Sequence, residues 1–292
     1  MNGKPRAYLD LVRLPNLFTA VADILAGFLY AGGRLEHGSD LAALTAASWF
    51  LYAGGAALND VCDVERDTHE RPERPIPSGR VSRSVSLRIA AGLLAIGFGF
   101  AALTSTRATI IAGALIAAIV LYDAVLKATP VAPGIMGLCR ALNLALGISA
   151  ARALWTAVAL TPIGLMWLYV TSVTFFARQE AGVSSPSRLT LGTVGVCAAV
   201  AALSALLWIV PSAQPSFLWL LGLLLVGLGY EGFRAAAKRS PATVQAAVRT
   251  FVIALVGFDA CIAWAARGPW PALLVASLVL PTILLARLLR VT

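Results

Sequence analysis

The 292-residue sequence predicts an all-α fold, a polytopic membrane bundle of nine or ten transmembrane helices, on three observations. Hydrophobic residues make up 59% of the chain and charged residues 13%, with mean hydropathy +0.82; the charged share is about half that of a soluble domain. The apolar residues run in stretches long enough to cross a hydrocarbon core of about 30 Å. These stretches show no strand-like alternation, so helices and not a closed barrel must satisfy the backbone in lipid. A soluble fold is excluded. The net charge of +9, which in a soluble protein would suggest nucleic acid, is explained here by where the charges lie relative to the membrane.

Taken in order, the apolar stretches are 14–32, 41–58, 85–103, 108–126, 131–149, 153–177, 189–210, 216–233, 250–266 and 269–286. With a cytoplasmic N-terminus, 18 of the 23 Lys and Arg lie on the inner side; Arg34, Arg107, Arg152 and Arg267 lie outside, and Arg140 lies within a span. The positive-inside rule thus sets orientation and parity, and implies a multi-pass protein of the cell inner membrane. Trp155, Trp208, Trp219, Trp264 and Trp270 fall near outer ends, where an indole keeps its ring in the interface and its N–H hydrated; Trp49 and Trp167 are exceptions. The C-terminal pair is the least regular, because 250–266 contains Asp259, and Pro269, Pro271 and Pro281 interrupt the last stretch; nine crossings are the alternative. The basic N-terminus and first stretch read as an uncleaved helix, being too long for a signal peptide and followed at once by the next span. The whole chain, 1–292, reads as one transmembrane domain with cytoplasmic loops at 59–83 and 178–188.

Cys62, Cys139, Cys197 and Cys261 are scattered without metal-ligand spacing and read as packing thiols. No Walker loop or GxGxxG element is present. Chemistry therefore falls to polar residues of the inner side. Residues 59–67 read NDVCDVERD, and at 100° per residue a helix places Asn59, Asp63, Asp67 and Asp60 at about 0°, 40°, 80° and 100°. Clustered carboxylates repel one another unless a cation joins them, and hard oxygen donors that leave room for phosphate suit Mg²⁺. The competing reading is a solvated charged loop. Next comes RPERPIPSGR at 71–80, where prolines and a glycine hold the backbone irregular around Arg71, Arg74 and Arg80. Arg74 and Arg80 suit bidentate binding of phosphate oxygens, whereas Arg83 and Arg88 read as membrane anchors.

NDVCDVERD followed by RPERPIPSGRVS resembles the first aspartate-rich motif, NDxxDxxxD, and adjoining loop of the UbiA superfamily of intramembrane prenyltransferases. The resemblance extends from Arg13, Pro15 and Asn16 to Tyr122, Asp123 and Lys127. It implies a helical bundle around a central cavity, usually of nine crossings. It also implies Mg²⁺-dependent transfer of an isoprenyl group from its diphosphate to a small-molecule acceptor, with membrane lipid as the medium. On that resemblance Asn59, Asp63 and Asp67, helped by Asp60, hold Mg²⁺; Arg74, Lys127 and Arg178 neutralise phosphate; and Tyr122 and Asp123 join the catalytic group. The family's second aspartate-rich motif falls near 177–188, which here reads ARQEAGVSSPSR, with Glu180 its one carboxylate. Arg178 stands where acidic ligands belong and serves either phosphate or the interface. This departure resembles the EboC-like branch and leaves a second function class open, a non-catalytic isoprenoid binder or transporter. The CDP-alcohol phosphotransferases are set aside, because NDVCDVERD does not continue into DxxDGxxAR.

Within the spans, Arg140 and Asn143 are one turn apart and share a face. A charge at membrane depth needs a polar cavity or a partner. Arg140 thus reads as a cavity residue or as the ion-pair partner of Asp23 or Asp259. Asn16 and Asp23 are expected to line the cavity, and Asp259 to be structural. Lys127 is either a diphosphate ligand or a snorkelling interfacial lysine. His37 and His69 receive no catalytic role.

Overall fold

The structure is a computed structural model that describes residues 4–33, 38–150, 156–178 and 185–289. Among them lie fourteen α-helices and no strand: α1 (Lys4–Leu11), α2 (Leu14–Tyr30), α3 (Gly38–Cys62), α4 (Val64–Glu70), α5 (Arg83–Ala102), α6 (Thr106–Leu121), α7 (Ala132–Ile148), α8 (Ala157–Ala177), α9 (Pro186–Ala202), α10 (Leu206–Ile209), α11 (Leu218–Lys238), α12 (Pro241–Arg267), α13 (Pro269–Ser277) and α14 (Val279–Leu289). A π turn, Tyr122–Leu126, continues α6. Among the described residues eight helical stretches are long and apolar enough to cross a membrane, and two shorter apolar helices, α2 and α7, complete the ten expected positions.

The ends follow local chemistry. Ser82, Ser105, Thr156 and Ser240 each accept from a backbone N–H three residues on, capping α5, α6, α8 and α12. Pro15, Pro133, Pro186, Pro241 and Pro269 occupy opening positions where a missing N–H costs nothing. The stretch marked at 250–266 is longer than its apolar run: α12 starts at Pro241, because Ser240 caps it and its first turns are amphipathic. The last span bends at Leu278, between α13 and α14.

α2 and α7 form the centre. α2 packs against α3, α7, α12, α13 and α14. It meets α7 backbone to backbone: a Cβ on Gly27 would lie 2.5 Å from the Leu144 carbonyl oxygen, and one on Gly147 2.5 Å from that of Ile24. The α8–α12 face is locked by aromatics, with the Tyr169 hydroxyl donating to the Phe251 carbonyl at 2.8 Å and rings at 5.1 Å in the pairs Tyr169–Phe258 and Phe176–Phe251. Large apolar side chains remain exposed along the outer helices, among them Leu103, Ile110, Leu223, Val226 and Leu280, as a lipid-solvated surface requires. Trp208, Trp219 and Trp270 are strongly exposed at the end of the bundle opposite NDVCDVERD.

Candidate functional site

The acidic motif emerges from α3 without a clean break. The Asp63 N–H bonds to the Asn59 carbonyl at 2.9 Å and the Asp67 N–H to that of Asp63 at 2.8 Å, so helical bonding runs on while Asp63 becomes the N-cap of α4. The single face expected for the four residues divides in two. Asp60 and Asp67, seven residues apart and therefore nearly eclipsed, both accept from Arg74 Nη1, at 3.2 and 2.6 Å. Asn59 and Asp63 turn towards the π turn instead. Asn59 Nδ2 donates to Asp123 Oδ1 at 2.7 Å, and Lys127 Nζ bonds to Asp63 while lying 3.9 Å from Asp123.

The π turn makes this possible. Its i→i+5 bonding brings residues five apart into register. Lys127 therefore sits over the Tyr122 ring, 5.8 Å from its centroid, where an ordinary helix would set the two on different sides. From the opposite flank comes Arg13, whose Nη2 donates to Asn59 Oδ1 at 2.7 Å and Asp60 Oδ1 at 3.0 Å. Arg13 caps α2 with its backbone in the left-handed region, φ 50°, a conformation costly for a residue with a Cβ. Burial disfavours its cation, yet Asp60, Tyr52 and Asp123 together outweigh that and hold the guanidinium above its ordinary value. Sequence reasoning noted Arg13 only for its family position; no periodicity announced it as a partner of the motif.

Arg74 is fixed from beneath. Ile76, between two prolines, is buried with Leu11, Ala57, Val61 and Ala90, and pins the loop against α1, α3 and α5. Gly79 supplies the positive φ, 73°, that turns the chain back so that the Val81 N–H reaches the Pro75 carbonyl. Four aspartates thus meet three cations at one end of the bundle, with Asp67 only 2% exposed.

The remaining expected residues lie elsewhere. Arg80 donates to Ser78 and the Glu73 carbonyl and pairs with Asp10 at 3.4 Å, tying the loop to α1 and not to the motif. Arg178, at the end of α8, is exposed and donates to the carbonyls of Ala128 and Thr129. Glu180 lies outside the described residues. Asn16 is half-buried one turn beyond Arg13. Asp23, Arg140 and Asn143 do come together, bonded to one another and to neighbouring backbone and not to the motif. Arg140 Nη2 lies 3.3 Å from Asp23 Oδ1 and donates to the Thr19 carbonyl, Asn143 Nδ2 donates to Asp23 Oδ2 at 2.8 Å, and Ser48 donates to Asn143 Oδ1 at 2.7 Å. Of the two readings of Arg140, the ion pair with Asp23 describes this geometry.

Mg²⁺ takes oxygen donors and is commonly held by one or two carboxylates completed by phosphate and water. No three His, Cys, Asp or Glu side chains converge among the described residues. Of the expected trio, Asp67 bonds to Arg74, Asp63 to Lys127, and Asn59 to Arg13 and Asp123. Oxygens offered in pairs fit an ion that shares its shell with a ligand's phosphates. They do not fit an all-protein cage.

Fold and site define a class, a polytopic helical membrane protein with a dense acid–base cluster at one end of the bundle. The chain belongs to the UbiA prenyltransferase family, whose model matches residues 20–231. It is 39% identical over 155 residues to a digeranylgeranylglyceryl phosphate synthase of Methanopyrus kandleri, a match covering 51% of this chain and 56% of that relative. The match thus spans little more than half the relative's length. A solved UbiA homologue of Aeropyrum pernix aligns with TM-score 0.68 at 17% identity, over 84% of this chain and 96% of that one. Another, from Archaeoglobus fulgidus and bound to DMAPP and Mg²⁺, aligns with TM-score 0.59 at 14% identity, over 87% and 98%. At these identities the two structures speak for the fold.

Proposed function

We propose that the protein transfers an isoprenyl group from a prenyl diphosphate to an acceptor at the cytoplasmic face of the cell membrane, with the N-terminus and motif loops inside. The observation that carries this reading is the interleaving of Arg13, Arg74 and Lys127 with Asp60, Asp63, Asp67 and Asn59. Such an array can exchange partners. Were Arg74 and Lys127 to leave the carboxylates for diphosphate oxygens, the freed oxygens of Asp63 and Asp67, with those of Asn59 and Asp60 beside Arg13, would hold Mg²⁺. When bound, that ion supplies Lewis-acid stabilisation of the leaving diphosphate. Arg74 and Lys127 add fixed positive charge where negative charge develops as the C–O bond breaks. Tyr122, beside Lys127, presents a ring face to the allylic cation. The acceptor hydroxyl closes on that cation, and on this reading Asp123 takes its proton. The name of the Methanopyrus kandleri relative points to an acceptor of the prenylated glyceryl phosphate class.

Purified protein with Mg²⁺, a labelled prenyl diphosphate and such an acceptor should release pyrophosphate. Asp63→Asn should lower the rate by about 100-fold or more, since it removes one charged member of the cluster. A rate unchanged in that variant would overturn the assignment. The second reading, an isoprenoid binder without turnover, is favoured by the bonding of Arg178 to two backbone carbonyls and by the lack of an acidic cluster at 177–188. Tight Mg²⁺-dependent binding with no pyrophosphate release would select it.

A further inference from the structure

A second charged group lies deep in the bundle and plays no part in the reaction above. Asp23 and Asp259 are both 0% exposed. They come from α2 and α12, which pack against each other, and their carboxyl groups are neighbours in that interface. Asp23 lies ten residues beyond Arg13, about 15 Å along the helix axis. Asp23 Oδ1 and both Asp259 oxygens have no hydrogen-bond donor. Arg140, 8% exposed, is the one cation described beside them, and its Nε and Nη1 are likewise without acceptors.

The other neighbours are committed or uncharged. On α7, Asn143 gives its amide to Asp23 and the Ala20 carbonyl. On α3, Ser48 donates to Asn143. On α8, the Tyr169 hydroxyl donates to Phe251, and on α12 itself Cys261 is a buried thiol. Two ionised carboxylates are acceptors only and cannot bond to each other. With a single guanidinium they would also leave a net negative charge in the interior, which is strongly disfavoured.

We infer that Asp23 and Asp259 bind one proton between them, forming a carboxyl–carboxylate clasp that joins α2 to α12 beside Arg140. The bound proton supplies the missing donor and makes the group of three neutral. It gives the central helix a polar joint to α12 where the neighbouring contacts are apolar, through Ala22, Val256, Ala260 and Ala263.

Infrared spectroscopy of the purified full-length protein in lipid nanodiscs reads this directly. The wild type at about pH 8 should show a protonated-carboxyl C=O band that shifts in D₂O and is lost in Asp23→Asn or Asp259→Asn, while Glu231→Gln retains it. Stability gives an independent reading. A proton held by the native state and released on unfolding makes stability fall as pH rises. Between about pH 6 and about pH 9 the wild-type Tm should therefore fall by about 5–10 °C more than that of Asp259→Asn, whose amide is a permanent donor. Absence of the band in the wild type overturns the proposal even if neither variant folds. So does a Tm in Asp259→Asn that tracks the wild type with pH, or one in the wild type set by the concentration of Na⁺.

Discussion

Arg74 closes the acidic cluster, and its worth follows from its surroundings. It bridges Asp60 and Asp67, whose side chains are 5% and 2% exposed. Removing one partner of a buried pair leaves a charge without compensation. A double-mutant cycle on Arg74→Gln and Asp67→Asn, followed by thermal unfolding in detergent, should return a coupling of about 1–3 kcal/mol. The same cycle on Arg66 and Glu70, paired at 3.0 Å but 56% and 49% exposed, should return less than about 0.5 kcal/mol. The acid residues of this site could be read from the spacing of NDVCDVERD. Their partners could not, because which cation reaches which carboxylate is decided by α2, the 71–80 loop and the π turn meeting in space. Arg80 shows the same limit from the other side: its composition suggests phosphate binding, yet its geometry ties the loop to Asp10.

At the scale of elements, the close approach of α2 and α7 sets the position of everything on them. It brings Asp23 to Arg140 and Asn143, and α2 carries Arg13 at its N-terminal end. Gly27 and Gly147 permit it, each having backbone where a Cβ would stand. Gly147→Ala should cost about 1–3 kcal/mol, since two helices must separate. Gly164→Ala, at a helical position with no atom within 4 Å of the added Cβ, should be neutral or slightly stabilising. Differential scanning in one detergent compares them. The helices themselves were legible because lipid enforces long apolar runs with polar punctuation. The first turns of α12 were not, since Gln245 and Arg249 continue a helix beyond the apolar run that marks it. The π turn was equally silent: YDAVL carries no residue pattern that separates it from an α-helix.

For the whole molecule, the charge arrangement makes the two ends unlike. The motif, the 71–80 loop, Lys127 and Arg178 share one end, joined by bonds such as Lys127–Asp63 and Arg178–Thr129. The other end is held by Tyr30 to Val158, Arg267 to Leu29 and Trp264 to Ser216. With native cysteines replaced, Glu73→Cys should react with a membrane-impermeant maleimide only after cells are permeabilised, and Ser212→Cys should react in intact cells. The reverse pattern would place the basic end outside. The alternation of basic and apolar segments carries this orientation as an expectation of the sequence, whereas the meeting of separate loops at one end is a property of the folded bundle alone.

Equilibrium binding of an unreactive prenyl diphosphate analogue to purified protein, with and without Mg²⁺, addresses the claim on which the functional account stands. The account predicts Mg²⁺-dependent binding that weakens at least about ten-fold in Asp63→Asn and again in Lys127→Gln, each ten-fold step being about 1.4 kcal/mol. Undiminished affinity in both variants would contradict it.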